Sequence, residues 1–210
     1  MKVGLKNHAK KVFGVGWAKT GTSTLGKCFK ILGFDHQSQN LDLIQDVAAN
    51  DLTKIMKIAE TKETFEDWPW ILLYKEMDKA FPNSKFILTK RASGKWIRSY
   101  RNMLTHQGEA TDDLNRIRQN IYGLPFPDVS DHQLIERYER HNEDVERYFI
   151  GRPKQLLAVD WEKGDSWREI CQFLKMDIPL NALPHENKGR YVSSMIHRLT
   201  DMLTKRFKMR

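Results

Sequence analysis

Residues 14–25, G-V-G-W-A-K-T-G-T-S-T-L, carry the strongest chemical signal in the chain. An apolar run over residues 12–16 ends in glycine, a short loop follows with Lys19 and Gly21, and helical spacing begins at Thr22. The first amides of a helix have no partner within the helix and point along its dipole, so they bind anionic oxygens. Thr20, Thr22, Ser23 and Thr24 add hydroxyl donors to the Gly21 turn, and Lys19 adds a mobile cation. The chemistry implied is phosphate binding. In nucleotide triphosphatases the pattern is G-x-x-x-x-G-K-[ST]. Gly16 and Gly21 match its glycine spacing, but Thr22 stands where its lysine belongs, and the lysine has moved upstream into the loop. A second near match, residues 21–28, begins inside the helix and ends in Cys28, which disqualifies it.

Two more positions have the character of site residues. Arg91 directly follows the apolar run of residues 85–89, and Ser99 lies eight positions further on, two turns into a helical pattern. A guanidinium at a strand end presents a planar fork to a phosphate. Asp67, in E-D-W-P, ends an extended segment just before a proline-opened helix and suits a general base. Glu66, His36 and His106 are the alternatives for that role.

The elements that must hold these residues alternate. Strands are expected over residues 12–16, 85–89 and 155–159, with a short extended piece over 64–68. Helical periodicity covers residues 22–32 with a stop at Gly33, 41–61 with a break near Asn50 and Asp51, 71–81, 93–106 with Ser93 as its cap, 131–149, 167–174 and 192–207. Residues 107–130 carry Gly108, Gly123, Pro125 and Pro127 with little periodicity after Ile121 and read as a structureless lid or acceptor-binding loop. Continuous apolar strands between helices predict an α/β fold, a mainly parallel sheet flanked by helices on both faces. Ligands of such sheets bind at the strands' carboxyl ends.

K-x-G-T at the mouth of a strand–loop–helix resembles the 5′-phosphosulfate loop of sulfotransferases that use 3′-phosphoadenosine 5′-phosphosulfate (PAPS). R-A-S-G-K-W-I-R-S, residues 91–99, resembles the second signature of that family, R-D-P-x-x-W-x-x-S, in a small bacterial and viral-type branch. Residues 159–174, followed by I-P-L-N-A-L-P-H-E-N, look like the C-terminal part of the same branch. The resemblance implies one P-loop-like three-layer domain over residues 1–210 and a sulfuryl transfer from PAPS to a hydroxyl or amine. The product nucleotide would be adenosine 3′,5′-bisphosphate. It further implies that Arg91 and Ser99 hold the 3′-phosphate, that a late basic loop with Lys188 and Arg190 closes on it, and that Lys19 meets charge on the leaving phosphate. An acid before W-P recurs in the branch, which favours Asp67 as base. The chain departs from the pattern twice. Leu25 replaces the tryptophan that often stacks on adenine, and Ala92-Ser93 replaces Asp-Pro.

Composition sets the remaining bounds. The 210 residues are 40% hydrophobic and 30% charged, which is globular rather than disordered. A net charge of +8 favours an anionic ligand. Cys28 and Cys171 fit no metal spacing and suit a reducing compartment. No leader-like or membrane-length apolar run occurs, so the expectation is a cytoplasmic protein with a small-molecule or glycan acceptor, no metal, no nucleic-acid partner and no membrane. A basic last helix could meet nucleic acid or a membrane, although a packed helix with a solvated basic face accounts for it better, and Trp68, Trp70 and Trp96 could line an acceptor pocket, although large aromatics are more often core. The rival enzyme class, an ATP-dependent small-molecule kinase, lacks its loop lysine and has only Asp160 to end a metal-binding strand.

Overall fold

The computed structural model describes residues 11–107 and 110–184. Lys188, Arg190 and the helix expected over residues 192–207 lie outside them. Five parallel strands are β1 (Val12–Gly14), β2 (His36–Gln37), β3 (Thr64–Phe65), β4 (Lys85–Thr89) and β5 (Leu156–Val159). Their order across the sheet is β2-β3-β1-β4-β5. In register, Phe13 of β1 lies between Phe65 of β3 and Phe86 of β4. β2 and β3 are only two residues long, and β2 is the strand that hydrophobic pattern does not reveal, because His36 and Gln37 are polar.

Successive strand residues face opposite layers, as the pleat requires. Phe13, Phe65, Phe86 and Leu88 turn one way, onto Ile55 and Ala59 of α3 (Thr53–Thr61), Met77 of α4 (Tyr74–Ala80) and Val145 of α7 (Asp131–Tyr148). Val12, Ile87 and Val159 turn the other way, onto Leu25, Cys28 and Phe29 of α1 (Thr22–Ile31) and Ile170 and Cys171 of α8 (Trp167–Leu174). Both sheet faces are therefore covered, and each layer buries an apolar stripe worth about 1.5–3 kcal/mol per large side chain.

A third cluster joins Trp17, Trp68, Trp96, Tyr100, Tyr122 and Tyr138. It is built by α5 (Ser93–Gln107), α6 (Asp112–Tyr122) and α7, with Ile44 from α2 (Ile44–Ala48). Here the structure corrects an expectation. The segment read as structureless contains α6, capped by the Thr111 hydroxyl and stopped by Gly123 in the left-handed region. Its apolar residues are few because α6 buries only its C-terminal end, Ile121 and Tyr122. Of the two readings for Trp68, Trp70 and Trp96, the core is the one observed: all three are buried. The helical stretch over residues 41–61 does break, at residues 49–52, into α2 and α3.

After β1 the chain goes to β2 and β3 on one side, then returns to β4 and β5 on the other. The reversal puts a crevice at the carboxyl end of β1, the place where open α/β sheets bind ligands.

Candidate active site

The loop after β1 is fixed from four directions. His141 donates Nε2–H to the Val15 carbonyl at 2.7 Å. Trp96 Nε1 donates to the Ala18 carbonyl at 2.9 Å. The Thr20 hydroxyl donates to the Trp17 carbonyl and meets Thr89 Oγ1, each at 2.6 Å. Arg91 reaches the Lys19 carbonyl at 3.4 Å. Gly21 closes the loop with φ +97°, and a side chain there would lie 2.5 Å from the Trp161 indole, so both backbone and space demand glycine.

The first backbone bond of α1 runs from the Leu25 amide to Gly21, so the amides of Thr22, Ser23 and Thr24 precede the helix's own ladder. The structure thus brings Lys19, Gly21, Thr22, Ser23 and Thr24 together around one helix start. Ser23 is exposed, and Thr22 and Thr24 are buried. Thr20 is different: its amide and hydroxyl both turn inward to Trp17 and Thr89, so it shapes the loop rather than facing a ligand. Lys19 holds φ +73°.

Asp67 stands directly against this helix start. Thr22 Oγ1 donates to its Oδ2 at 3.4 Å, and the Trp68 amide donates to its Oδ1 at 2.9 Å. Its φ of +67° is a left-handed conformation that an Asp tolerates better than most residues. Burial pushes the Asp67 carboxyl up to about 7, with the Glu66 charge adding to the rise and the Trp68 amide, Thr22 and Lys19 opposing it. A carboxyl poised near neutrality is suited to taking a proton.

Of the alternatives, Glu66, the residue before Asp67, and His36 line a groove beside α1 that adjoins the helix start through Ser23. His106 ends α5, exposed, with Nδ1 at 2.7 Å from the Asn102 carbonyl.

Arg91 follows β4 as expected. Its backbone is clamped by Tyr138, whose hydroxyl accepts from the Arg91 amide at 2.9 Å and donates to its carbonyl at 2.7 Å. Its guanidinium is engaged by Glu162 Oε1, at 2.9 Å from Nε and 2.6 Å from Nη2, and Lys95 Nζ lies 3.0 Å from Glu162 Oε2. Ser99 is half-buried on α5. Ser93 does not act as a cap here: its hydroxyl donates to Glu139 at 2.5 Å.

The sequence reading missed Tyr138, His141, Trp161 and Glu162. The first two come from a helix whose spacing marks them only as inward residues. Trp161 and Glu162 do follow directly on β5, and a strand's carboxyl end was a signal that could have found them. Among the described residues, no three His, Cys, Asp or Glu side chains form a cluster fit for a metal, and no helix is long and apolar enough to cross a membrane.

Known proteins share this fold and family. A bacterial sulfotransferase from Alicyclobacillus acidocaldarius has a similar fold, with a TM-score of 0.54 over 93% of this chain and 92% of that one at 16% identity. The Ava biosynthesis cluster protein M of Aspergillus versicolor is 24% identical over 218 residues, 83% of this chain and 80% of its own length. Residues 11–192 match the sulfotransferase domain family, a span that includes the phosphate loop, Asp67 and Arg91. The chain belongs to the sulfotransferase family.

Proposed function

We propose that the protein transfers a sulfuryl group from PAPS to a hydroxyl of a small acceptor, with Asp67 as the general base. The observation that carries this reading is the contact of Asp67 with Thr22 at the start of α1, beside Lys19. A proton acceptor and an anion-binding helix start share one edge of the sheet.

The residues present fit the nucleotide. The amides of Thr22, Ser23 and Thr24, the Gly21 turn and Lys19 suit the 5′-phosphosulfate. Arg91 and Ser99, on the far side of β4's end, suit the 3′-phosphate, and Arg91 already binds an anion there in the form of the Glu162 carboxylate. Lys188 and Arg190 remain candidates to close over it. PAPS when bound supplies the activated sulfur. Asp67 accepts the proton of the acceptor oxygen as the new S–O bond forms, and Lys19 meets the negative charge left on the departing phosphate oxygen. Positioning by the rigid loop provides the rest.

Adenosine 3′,5′-bisphosphate should raise the melting temperature, and ATP with magnesium should not. At a hundred times its dissociation constant a ligand adds about 2.7 kcal/mol, which a thermal melt resolves easily. Stabilisation by ATP–magnesium alone would overturn the reading in favour of a kinase.

A further inference from the structure

Beside the helix start lies a groove of about 270 Å³ that the steps above do not use. One wall is α1, where Ser23, Lys27 and Lys30 follow each other at helical spacing on one face. The floor is His36, Ser38 and Glu66, from the carboxyl ends of β2 and β3.

The floor is polar, buried and incompletely bonded. The side chains of His36 and Glu66 are 1% and 3% exposed, and their nearest approach, Nε2 to Oε1, is 3.6 Å, too long for a hydrogen bond. His36 Nδ1 is held by Thr64 Oγ1 at 2.9 Å, and Ser38 donates to Glu66 Oε1. Glu66 Oε2 and His36 Nε2 have no hydrogen-bond partner. Buried polar atoms without a hydrogen-bond partner are costly, and two of them on residues that line one groove mark a place where a ligand supplies the missing bonds. Gly26 keeps the groove open, since a Cβ there would stand 2.9 Å from both Glu66 Oε1 and His36 Nε2. At the rim, Lys27 and Lys30 are exposed cations on the side facing the opening. A positive rim over a hydrogen-bond-accepting floor selects a ligand with an anionic group at one end and a hydroxyl at the other.

Resting on the sulfotransferase reading, we propose that this groove seats the acceptor, and that the acceptor is a small acid with at least two hydroxyls. Its anionic group lies between Lys27 and Lys30, and one hydroxyl donates to Glu66 Oε2. The acceptor extends past Ser23 beyond the groove's own lining, so that a second hydroxyl meets Asp67 at the helix start and is the one that reacts. Ser23 serves both sites, since it stands in the first turn of α1 and on the groove wall.

Two matched pairs test this: D-glucuronate against D-glucose, and 3,4-dihydroxybenzoate against catechol. Binding is followed by NMR on the His36 ring signals, identified with His36→Gln, with and without adenosine 3′,5′-bisphosphate. At least one acid should shift the His36 signals and bind about tenfold more tightly than its neutral partner, as a charge-assisted contact implies. The double variant Lys27→Glu/Lys30→Glu should abolish that preference and leave adenosine 3′,5′-bisphosphate binding in place. Acids that leave His36 unmoved, or a preference that survives charge reversal, overturn the groove assignment while nucleotide binding stands. A protein that takes the acid in the groove but ignores adenosine 3′,5′-bisphosphate overturns the sulfotransferase cofactor instead and retains the groove as a hydroxy-acid site.

Discussion

Asp67 and Glu162 are two carboxylates on opposite sides of the loop after β1, and their surroundings shift them in opposite directions. Asp67 is pushed up to about 7 by burial and by the Glu66 charge, so as a base it is active only when that proton is gone. Transfer should rise with pH through an apparent midpoint near 7, and Asp67→Asn should lose about a hundredfold or more in single-turnover rate with adenosine 3′,5′-bisphosphate affinity retained. An asparagine enzyme with an unchanged rate would remove Asp67 from the mechanism. Glu162 sits lower than an ordinary carboxylate because Lys95 and Arg91 outweigh its desolvation. It occupies the Arg91 guanidinium, so on the proposed function a 3′-phosphate entering there would exchange one anion for another. Glu162→Gln should tighten adenosine 3′,5′-bisphosphate binding by about twofold to fivefold, the worth of a partly exposed ion pair. Calorimetric titration of wild type and variant measures it, and weaker binding by the variant would show that Glu162 positions Arg91 rather than competing for it.

At the level of elements, the phosphate loop depends on neighbours distant in sequence. Thr20 looks like one more phosphate hydroxyl when read along the chain, because nothing in residues 20–24 distinguishes its side chain from those of Thr22 and Thr24. Its partner Thr89 ends β4 and becomes a neighbour only when β1 and β4 pair. Thr20→Val should cost about 1–3 kcal/mol in urea denaturation, since the fully buried Thr89 hydroxyl loses its partner, while Thr20→Ser should retain most of that stability. Equal stability of the two variants would mean the pair carries little. The strand–loop–helix, the strand before Arg91 and the helices flanking them were legible because apolar period and glycine placement are local. Strand β2 and helix α6 were not: one is two polar residues held by its neighbour's ladder, and the other is packed mainly at one end.

Across the whole molecule, two buried groups bend the pH dependence of stability in opposite directions. His141 is held neutral by burial, its pKa lowered from 6.5 to about 4, so the unfolded chain binds more protons there and stability is lost as pH falls through that window. Asp67 rises from 3.8 to about 7, so the folded chain binds more protons and stability is lost as pH climbs through nearly the same window. Each effect is on the order of 1–2 kcal/mol, Asp67 keeping some solvent contact. Wild type should therefore change little between pH 4.5 and 6.5 on account of this pair. Asp67→Asn should gain stability with rising pH, and His141→Gln, which keeps a donor for the Val15 carbonyl, should lose it. Denaturant midpoints at several pH values decide this, and parallel curves for all three proteins would refute the coupling.

By itself the sequence determined the class of fold, the strand–loop–helix that holds Lys19 and Gly21, and the placing of Arg91 after a strand with Ser99 on the next helix. Those features depend on periodicity and on residues close together in the chain, and local sterics and hydrogen-bonding needs act at that range. Only the tertiary structure decided which hydroxyl faces the loop's interior, that Glu162 rather than solvent meets Arg91, and that Trp68, Trp70 and Trp96 are core. It alone placed Glu66 and His36 on a groove floor beside α1. Those outcomes depend on which strands become neighbours, and parallel pairing joins residues separated by 28 to 73 positions, a choice made by the burial of the whole sheet rather than by any one segment.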